Sequence, residues 1–490
     1  MKRSILLLGT AIVAACASSP ASSRSQVGQP VEFFAQTADA PADWAAQGVV
    51  GVAPSGDWLS QFRDPLMVGL VNEALANSPT LESRAAVMRA SEAATRTARS
   101  ARRPSLTASA QAGVTSRSTT LGGTTDRTTD GLYGVGLDGS WEIDLWNRLG
   151  AAVDAADADY VASQADFAAA ELSIAAQTAS AWIGLNEALA QERVAMLTLQ
   201  ARDRVKTLTE RRFQRGLADA LDVRTARSTL AQAEAAIAAR RQFTGETARR
   251  LETLVGRYPS AELDAPAELP SLEAIVAEGN PVLLLSRRPD IASAEARVKA
   301  AGLRAEQARA AMLPSITLTS SASTTTTEIS DVFDPEEIAA NLIAGLVQPL
   351  FTGGRLDAQR DAAVARAEGA VADYAASALN AWREVENALA ADAWLAQQEQ
   401  AQERALEEAR LAEELAERQY TSGTVTIFNL IDSQTRRLNA ESQLVTARAS
   451  RASNRISYHL ALGGGLPSGT SSGQYGTISP DTNAASGGRS

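Results

Sequence analysis

The chain has 490 residues, a formal net charge of −11, 45% hydrophobic and 5% aromatic side chains, one Cys and one His. A single Cys excludes an internal disulfide and a Cys-based zinc site, and a single His excludes a His-rich metal centre. The acidic balance argues against nucleic acid as the main partner, and about one residue in five is Ala, which suits long, closely approaching helices better than large globular cores.

The chain opens with the basic Met1-Lys2-Arg3 and an apolar run over 5–15. Those residues would rise only about 16 Å as a helix, too short to cross a hydrocarbon layer of about 30 Å. Residues 1–15 therefore read as a secretory signal peptide. Its end, Val13-Ala14-Ala15-Cys16, resembles a bacterial lipobox, which makes Cys16 a lipid anchor and 16–65 a lipidated N-terminal segment. The plainer alternative is a Cys lying beside an ordinary cleavage site. Ser18 at the second mature position resembles the outer-membrane sorting pattern. No later run approaches 18 apolar residues, so a transmembrane helix is not expected, and a β-barrel, with its period-2 strands, stays open.

The strongest internal signal is a duplication. Pro79, Arg99 and Pro104 return 210 positions later as Pro289, Arg309 and Pro314. Arg148-Leu149 returns 207 positions later as Arg355-Leu356, and Phe213-Gln-Arg-Gly216 is echoed by Tyr420-Thr-Ser-Gly423. A period this long indicates gene duplication rather than a solenoid. Two repeats over 66–262 and 289–465 follow, joined by an equatorial linker over 263–288, with a Gly/Ser-rich tail over 466–490 expected to be disordered.

Each repeat opens with a helical stretch, 66–103 and 290–313, closed by a proline. The period then changes to 2. Leu106, Ala108, Ala110, Ala112 and Val114 alternate with polar residues, as do Tyr133, Val135, Leu137, Trp141, Ile143 and Leu145. The second repeat shows the same change at Ile316 and Leu318, then at Leu342, Ala344, Leu346 and Leu350. Polar tips over 119–130 and 330–337 are expected to join the strands as long hairpin loops. Next comes an uninterrupted helical stretch over 148–215, about 100 Å long. It returns as a second helix over 221–255, and the second repeat ends likewise over 428–462. Such lengths without caps indicate coiled coil. Four strands cannot close a barrel, and lipid does not tolerate open edges, so oligomerisation is expected: two copies would give eight strands, three would give twelve with a lumen.

At this point the sequence resembles the TolC-like outer-membrane efflux proteins, and within them the OprM/NodT-type lipoproteins. The resemblance rests on Phe62-Arg-Asp64-Pro65-Leu66, Trp141-Glu-Ile-Asp144-Leu145-Trp146 and Arg287-Arg288-Pro289-Asp290-Ile291, with Ala308-Arg-Ala-Ala-Met-Leu-Pro314 and Pro349-Leu-Phe-Thr-Gly353-Gly354-Arg355-Leu356. It implies a mainly α fold with a transmembrane β part: a trimeric 12-stranded β-barrel continued by a 12-helix periplasmic α-barrel. It also implies a passive exit duct for small toxic molecules, served by a periplasmic adaptor and an inner-membrane pump of the RND type. No cofactor, metal or enzymatic activity is expected. The rival reading is a lipid-tethered periplasmic coiled-coil scaffold without a pore.

Arg215-Gly216-Leu217 and Ser422-Gly423-Thr424 fit a left-handed glycine ending a helix before reversal. By the resemblance these two tips dock the adaptor. Matching motif positions place Tyr420, Asp222, Phe428 and Asp432 at a gate in the lumen. Three Asp432 side chains about a threefold axis would form a charged ring, and Phe428, four residues earlier, shares its helix face. Interhelical packing is the alternative for Tyr420, helix capping for Asp222 and a solvated helix face for Asp432. Val425 stands where some members carry an Arg that locks the closed state, and Asn429 replaces an acidic residue seen in some, so closure rests on Phe428 and Asp432.

Two motifs mislead. Gly134-Val-Gly136-Leu-Asp-Gly139 matches a dinucleotide fingerprint but lies in a period-2 stretch, and Gly469-Thr-Ser471-Ser-Gly473 matches a nucleophile elbow but lies in the tail. His459, near a helix end where positive charge is favourable, is given a structural role.

Overall fold

The computed structural model describes residues 44–46, 49–50 and 58–464, apart from 264, 274 and 278–280. The signal segment, Cys16, the tail and its Gly469–Gly473 motif lie outside the described residues. The described residues divide into two compact units, one built from Ala86–Ala165 and Asp290–Ser377, the other from those within 44–85, 166–289 and 378–464.

The duplication is visible in the element order. The first repeat runs α1 (Pro65–Asn77), α2 (Pro79–Ser100), β2 (Ser105–Leu121), β3 (Thr124–Ile143), α3 (Arg148–Gln214) and α4 (Ala220–Leu254). The second runs α5 (Pro281–Arg287), α6 (Pro289–Ala310), β5 (Ser315–Thr326), β6 (Ala339–Val347), α7 (Arg355–Ser422) and α8 (Ile427–Ala461). A two-residue parallel pair, β1 (Val49–Val50) with β4 (Val276–Ala277), completes the order.

Two expectations change here. The stretch read as one helix over 66–103 is two helices. Pro79 restricts the residue before it to extended backbone, and Ser78, at φ −70 and ψ 117, ends α1. The same break recurs at Arg288-Pro289, so α5, inside the stretch read as linker, is the counterpart of α1. The 119–130 tip is not a long loop either. β2 and β3 pair without interruption to Leu121 and Thr124, and Gly122 and Gly123 alone make the turn, at φ +60 and +92. Two consecutive positive φ values are the demand of a type I′ hairpin turn, which glycine meets without strain. The second hairpin does have a structured tip, two short 3-10 turns at Ile329–Phe333 and Pro335–Glu337.

In the first unit the four strands form one antiparallel sheet in the order β2-β3-β5-β6. Below the sheet, Asp144 caps α3 by accepting from the Leu149 and Gly150 amides at 3.1 and 2.7 Å. Arg148 grips Glu142 bidentately at 2.8 and 2.6 Å. The tryptophan indoles at the foot of the sheet are also fixed, Trp141 to the Arg102 carbonyl and Trp146 to the Pro314 carbonyl.

In the second unit a core gathers Trp58 and Phe62, Met67 and Val71 of α1, Trp182 and Ile183 of α3, Leu251 of α4 and Ile456 of α8. Ala175, Ala176, Ala179 and Ala452 lie among them, and their small side chains let the helix backbones approach. Asp64 ties this core together: Oδ1 caps α1 through the Leu66 and Met67 amides, and Oδ2 accepts from the Trp182 indole at 2.6 Å. The Glu252 carboxylate anchors the start of the linker by accepting from the Ala261, Glu262 and Leu263 amides. Burial pushes that carboxyl up, but the three amides and Ser260 outweigh it, so it sits below the usual value.

Candidate functional site

Strand register sorts the sheet into two faces. Leu106 lies opposite Gly139, Ala108 opposite Leu137, Ala110 opposite Val135 and Ala112 opposite Tyr133. Trp141 lies opposite Leu318, Ile143 opposite Ile316, Leu318 opposite Ala344 and Ile316 opposite Leu346. Directly opposed residues point to the same side, so all of these share one apolar face. The other face carries Thr107, Ser109, Gln111, Asp138, Ser140, Glu142, Thr317, Thr319, Ser321 and Ser323, with Leu132, Ile343 and Val347 among its apolar exceptions. The apolar stretch of β3, Tyr133 to Ile143, is about 11 residues, the length a tilted strand needs to cross a bilayer core. Leu106, Val114, Leu342 and Leu346 stand exposed on that face. Among the described residues, the unpaired edges are those of β2 and β6.

The dinucleotide-like glycines sit in mid-strand. A Cβ at Gly134 would lie 2.5 Å from the Thr324 carbonyl, and one at Gly139 would lie 2.5 Å from the Ser320 hydroxyl. They let neighbouring strands approach and open no helix. No helix among the described residues is long and apolar enough to cross a membrane, which bears only on helices. Among the described residues no group of His, Cys, Asp and Glu could hold a metal ion.

At the two helix reversals Gly216 and Gly423 take φ +69 and +81. Leu217 N–H donates to the Arg212 carbonyl and Gly216 N–H to Phe213, while Thr424 and Gly423 do the same to Gln419 and Tyr420. Both ends are Schellman closures. Arg215, Gly216, Leu217, Ser422, Gly423 and Thr424 are all exposed.

The expected gate residues separate into three situations. Tyr420 is 2% exposed and packs with Val205, Ala226, Ile427 and Leu430, joined by the partly buried Val425. Its hydroxyl meets Thr209 at 3.1 Å, and Arg212 of α3 lies over its ring at 4.8 Å while donating to its carbonyl at 2.7 Å. Asp222 takes the third helical position of a reciprocal capping box with Asp219, the capping reading of that residue. Phe428 and Asp432 are exposed on α8, and Asp432 pairs with Arg436 one turn on at 2.8 Å. Asn429 accepts from the Thr426 hydroxyl.

Thr209, Arg212, Arg436 and Arg202 had not been singled out from the sequence. The i, i+4 spacing of Asp432 and Arg436 was a readable signal. The others are contacts of α3 with α7 or α8 across more than 200 positions, which no local spacing reveals. Arg202 is buried and donates to Gln434 at 3.0 Å and Thr435 at 2.8 Å; burial pulls its guanidinium below the usual value, against the nearby Glu413. Glu171 of α3 is pushed up to about 7 by burial alone. His459 stacks on Trp58 at 5.8 Å and meets Gln61 at 3.1 Å, and burial followed by the Arg455 charge lowers it to about 4. It does lie in the last turn of α8, but as a neutral ring: desolvation outweighs the helix-end attraction for a positive charge.

The profile of the outer membrane efflux proteins matches residues 70–257 and again 280–464. The chain belongs to the outer membrane efflux protein family. The pyoverdine export outer membrane protein OpmQ of Pseudomonas aeruginosa is 31% identical over 475 residues, covering 96% of this chain and 98% of that protein. The outer membrane protein OprJ of the same species is 31% identical over 89% of this chain and 92% of its own length. Among solved structures, the outer-membrane channel OprN superposes with a TM-score of 0.80 at 28% identity, covering 87% of this chain and 97% of that one. CusC, described as a transmembrane channel, superposes at 0.77 and 27% identity, with the same coverage. The protein is thus an outer-membrane efflux channel component, and the pore-free periplasmic scaffold is set aside.

Proposed function

We propose that three copies of this chain close edge to edge, β6 of one on β2 of the next, into a barrel of twelve strands around a water-filled lumen. The sheet carries the proposal: one exposed apolar face, one polar face and two unpaired edges in four strands. Lipid forbids an open edge, and closure by repetition satisfies both edges at once. The apolar face then meets lipid, while the Ser/Thr-rich face lines the lumen. Trp141, Trp146 and Phe351 would form an aromatic belt at the foot of the barrel, with Tyr133 at its far end.

In this reading the helices continue the duct into the periplasm, Cys16 carries the lipid anchor, and the two helix reversals meet a periplasmic adaptor linked to an RND-type pump. Exposed Phe213, Leu217 and Leu221 around the first reversal give that contact an apolar surface. Phe428 and Asp432 form the constriction at the gate. Tyr420, Arg212 and Thr209 fasten α7 to α3 beside it. Asp222 supports the gate from the capped start of α4. The duct carries small toxic molecules and does no chemistry; the pump supplies the energy.

Reconstitution of the purified full-length protein in planar bilayers tests the pore. Stepwise conductance is expected. A folded, membrane-inserted protein that stays silent after removal of the Phe428 ring would overturn the reading.

A further inference from the structure

Directly beneath the sheet, in the same unit, α3, α6 and α7 border a groove of about 590 Å³. Its charged lining is Arg148, Arg304, Arg355 and Arg366, with Gln307 and Gln359 between them; the rest is alanine, and no carboxylate lines it. On α6 the lining residues fall at 304, 307 and 308, continued by 311 in the turn that follows, and on α7 at 355, 358, 359, 362, 363 and 366, so each helix contributes one face.

Two of the four arginines are already neutralised. Arg148 grips Glu142, and Arg304 pairs with Asp159. The other two have no carboxylate partner among the described residues. Arg355 makes a long hydrogen bond to Gln359 at 3.3 Å, and Arg366 has neither a hydrogen bond nor an ion pair among the described residues. In a chain of net charge −11 this is a local reversal of sign. Arg148, at one end of this lining, is held by Glu142, which lies on the polar face of the sheet by register, so that end of the groove adjoins the polar side.

We infer that this groove is a binding site for anionic solutes in the lumen, compounds bearing phosphate, sulfonate or several carboxylate groups. The inference rests on the pore reading and names a cargo class for it. Guanidinium forks match such oxyanions in a planar, two-point geometry, and a ring of arginines is the usual means of drawing anions into a pore. The alanine floor lets a bulky solute lie against the wall while its charged end meets Arg355 and Arg366. Repeated about a threefold axis, the groove becomes a belt.

The test uses pyrophosphate as the probe and the full-length protein in planar bilayers. The probe is added on the side of the strand hairpins, from which the belt is reached through the barrel alone. Wild type should show concentration-dependent block. The R355Q/R366Q variant should weaken the block by about tenfold, the loss of two charge-assisted contacts, and its reversal potential in a salt gradient should move toward cation selectivity. R355K/R366K should keep most of the block. Equal block constants for wild type and the Gln variant would overturn the belt and leave the pore intact. A folded, membrane-inserted protein that stays silent even after removal of the Phe428 ring would overturn the pore and the belt with it. Calorimetric titration of pyrophosphate into the detergent-solubilised trimer reads the same site without conduction, and equal affinity in both proteins would also overturn it.

Discussion

Tyr420→Phe removes one hydroxyl from the contact between α3 and α7. The Thr209 hydroxyl already gives its proton to the Val205 carbonyl at 2.8 Å, so in the 3.1 Å contact Tyr420 donates and Thr209 accepts. Losing the tyrosine hydroxyl therefore strands no donor and should cost about 1 kcal/mol. Thr209→Val is the harsher change, since it leaves a buried phenol with nothing to donate to; it should cost roughly 1–3 kcal/mol. The double variant should cost little more than Tyr420→Phe alone, because the stranded hydroxyl is gone. Arg212 keeps the Tyr420 carbonyl and the ring face in both backgrounds. If the fastening opposes opening, 1 kcal/mol raises the open-to-closed ratio about fivefold. Thermal unfolding gives the stability cycle, and single-channel recording gives the open fraction. Additive costs, or a Thr209→Val variant milder than Tyr420→Phe, would refute the assignment of donor and acceptor.

Four further outcomes follow from the same contacts. Below pH 6.5 the unfolded chain takes up a proton that the buried His459 refuses down to about pH 4, so stability should fall as pH drops through that window. The full loss is about 3 kcal/mol, and His459→Gln should remove that part of the acid slope in thermal melts. Asp64→Ala loses both a helix cap and the Trp182 contact and should cost about 3 kcal/mol in denaturant unfolding, against a smaller loss for Asp64→Asn. At Gly216 a Cβ meets nothing within 4 Å, so Gly216→Ala should cost only the backbone strain of a positive φ, about 1 kcal/mol, with Gly216→Asn milder. Asp432→Ala should lower the cation selectivity of the closed channel in bilayer recordings, whereas identical traces would remove Asp432 from the gate.

The large elements were legible because their signals are periodic. Alternation at Leu106 to Val114 and Tyr133 to Ile143 marked strands, and the proline-free stretch after Arg148 marked a helix that runs 67 residues. The tip glycines were legible because only a left-handed residue reverses a helix there. Tip loops were overread because Thr119 to Asp130 is polar, and polarity alone does not distinguish a loop from a strand wet on both faces. Pro79 was passed over because a break of one residue hardly disturbs an apolar stripe. The four-residue spacing of Phe428 and Asp432 was legible as one exposed face of α8, because that signal is local. Arg202 and Arg212 act on partners more than 200 positions away, and the arginine groove needs three helices brought together by folding. His459 misled because the helix-end attraction is visible in sequence, while its burial against Trp58 is not.

Closure of the sheet by repetition is tested most directly by disulfide scanning between edge strands. Chains carrying one cysteine in β2, over Leu106–Val114, and one in β6, over Leu342–Leu346, are oxidised in outer-membrane vesicles and resolved by denaturing electrophoresis. A register that cross-links should give a ladder ending at three chains. A ladder that continues past three, one that stops at two, or no cross-link at any register would contradict a closed trimeric barrel.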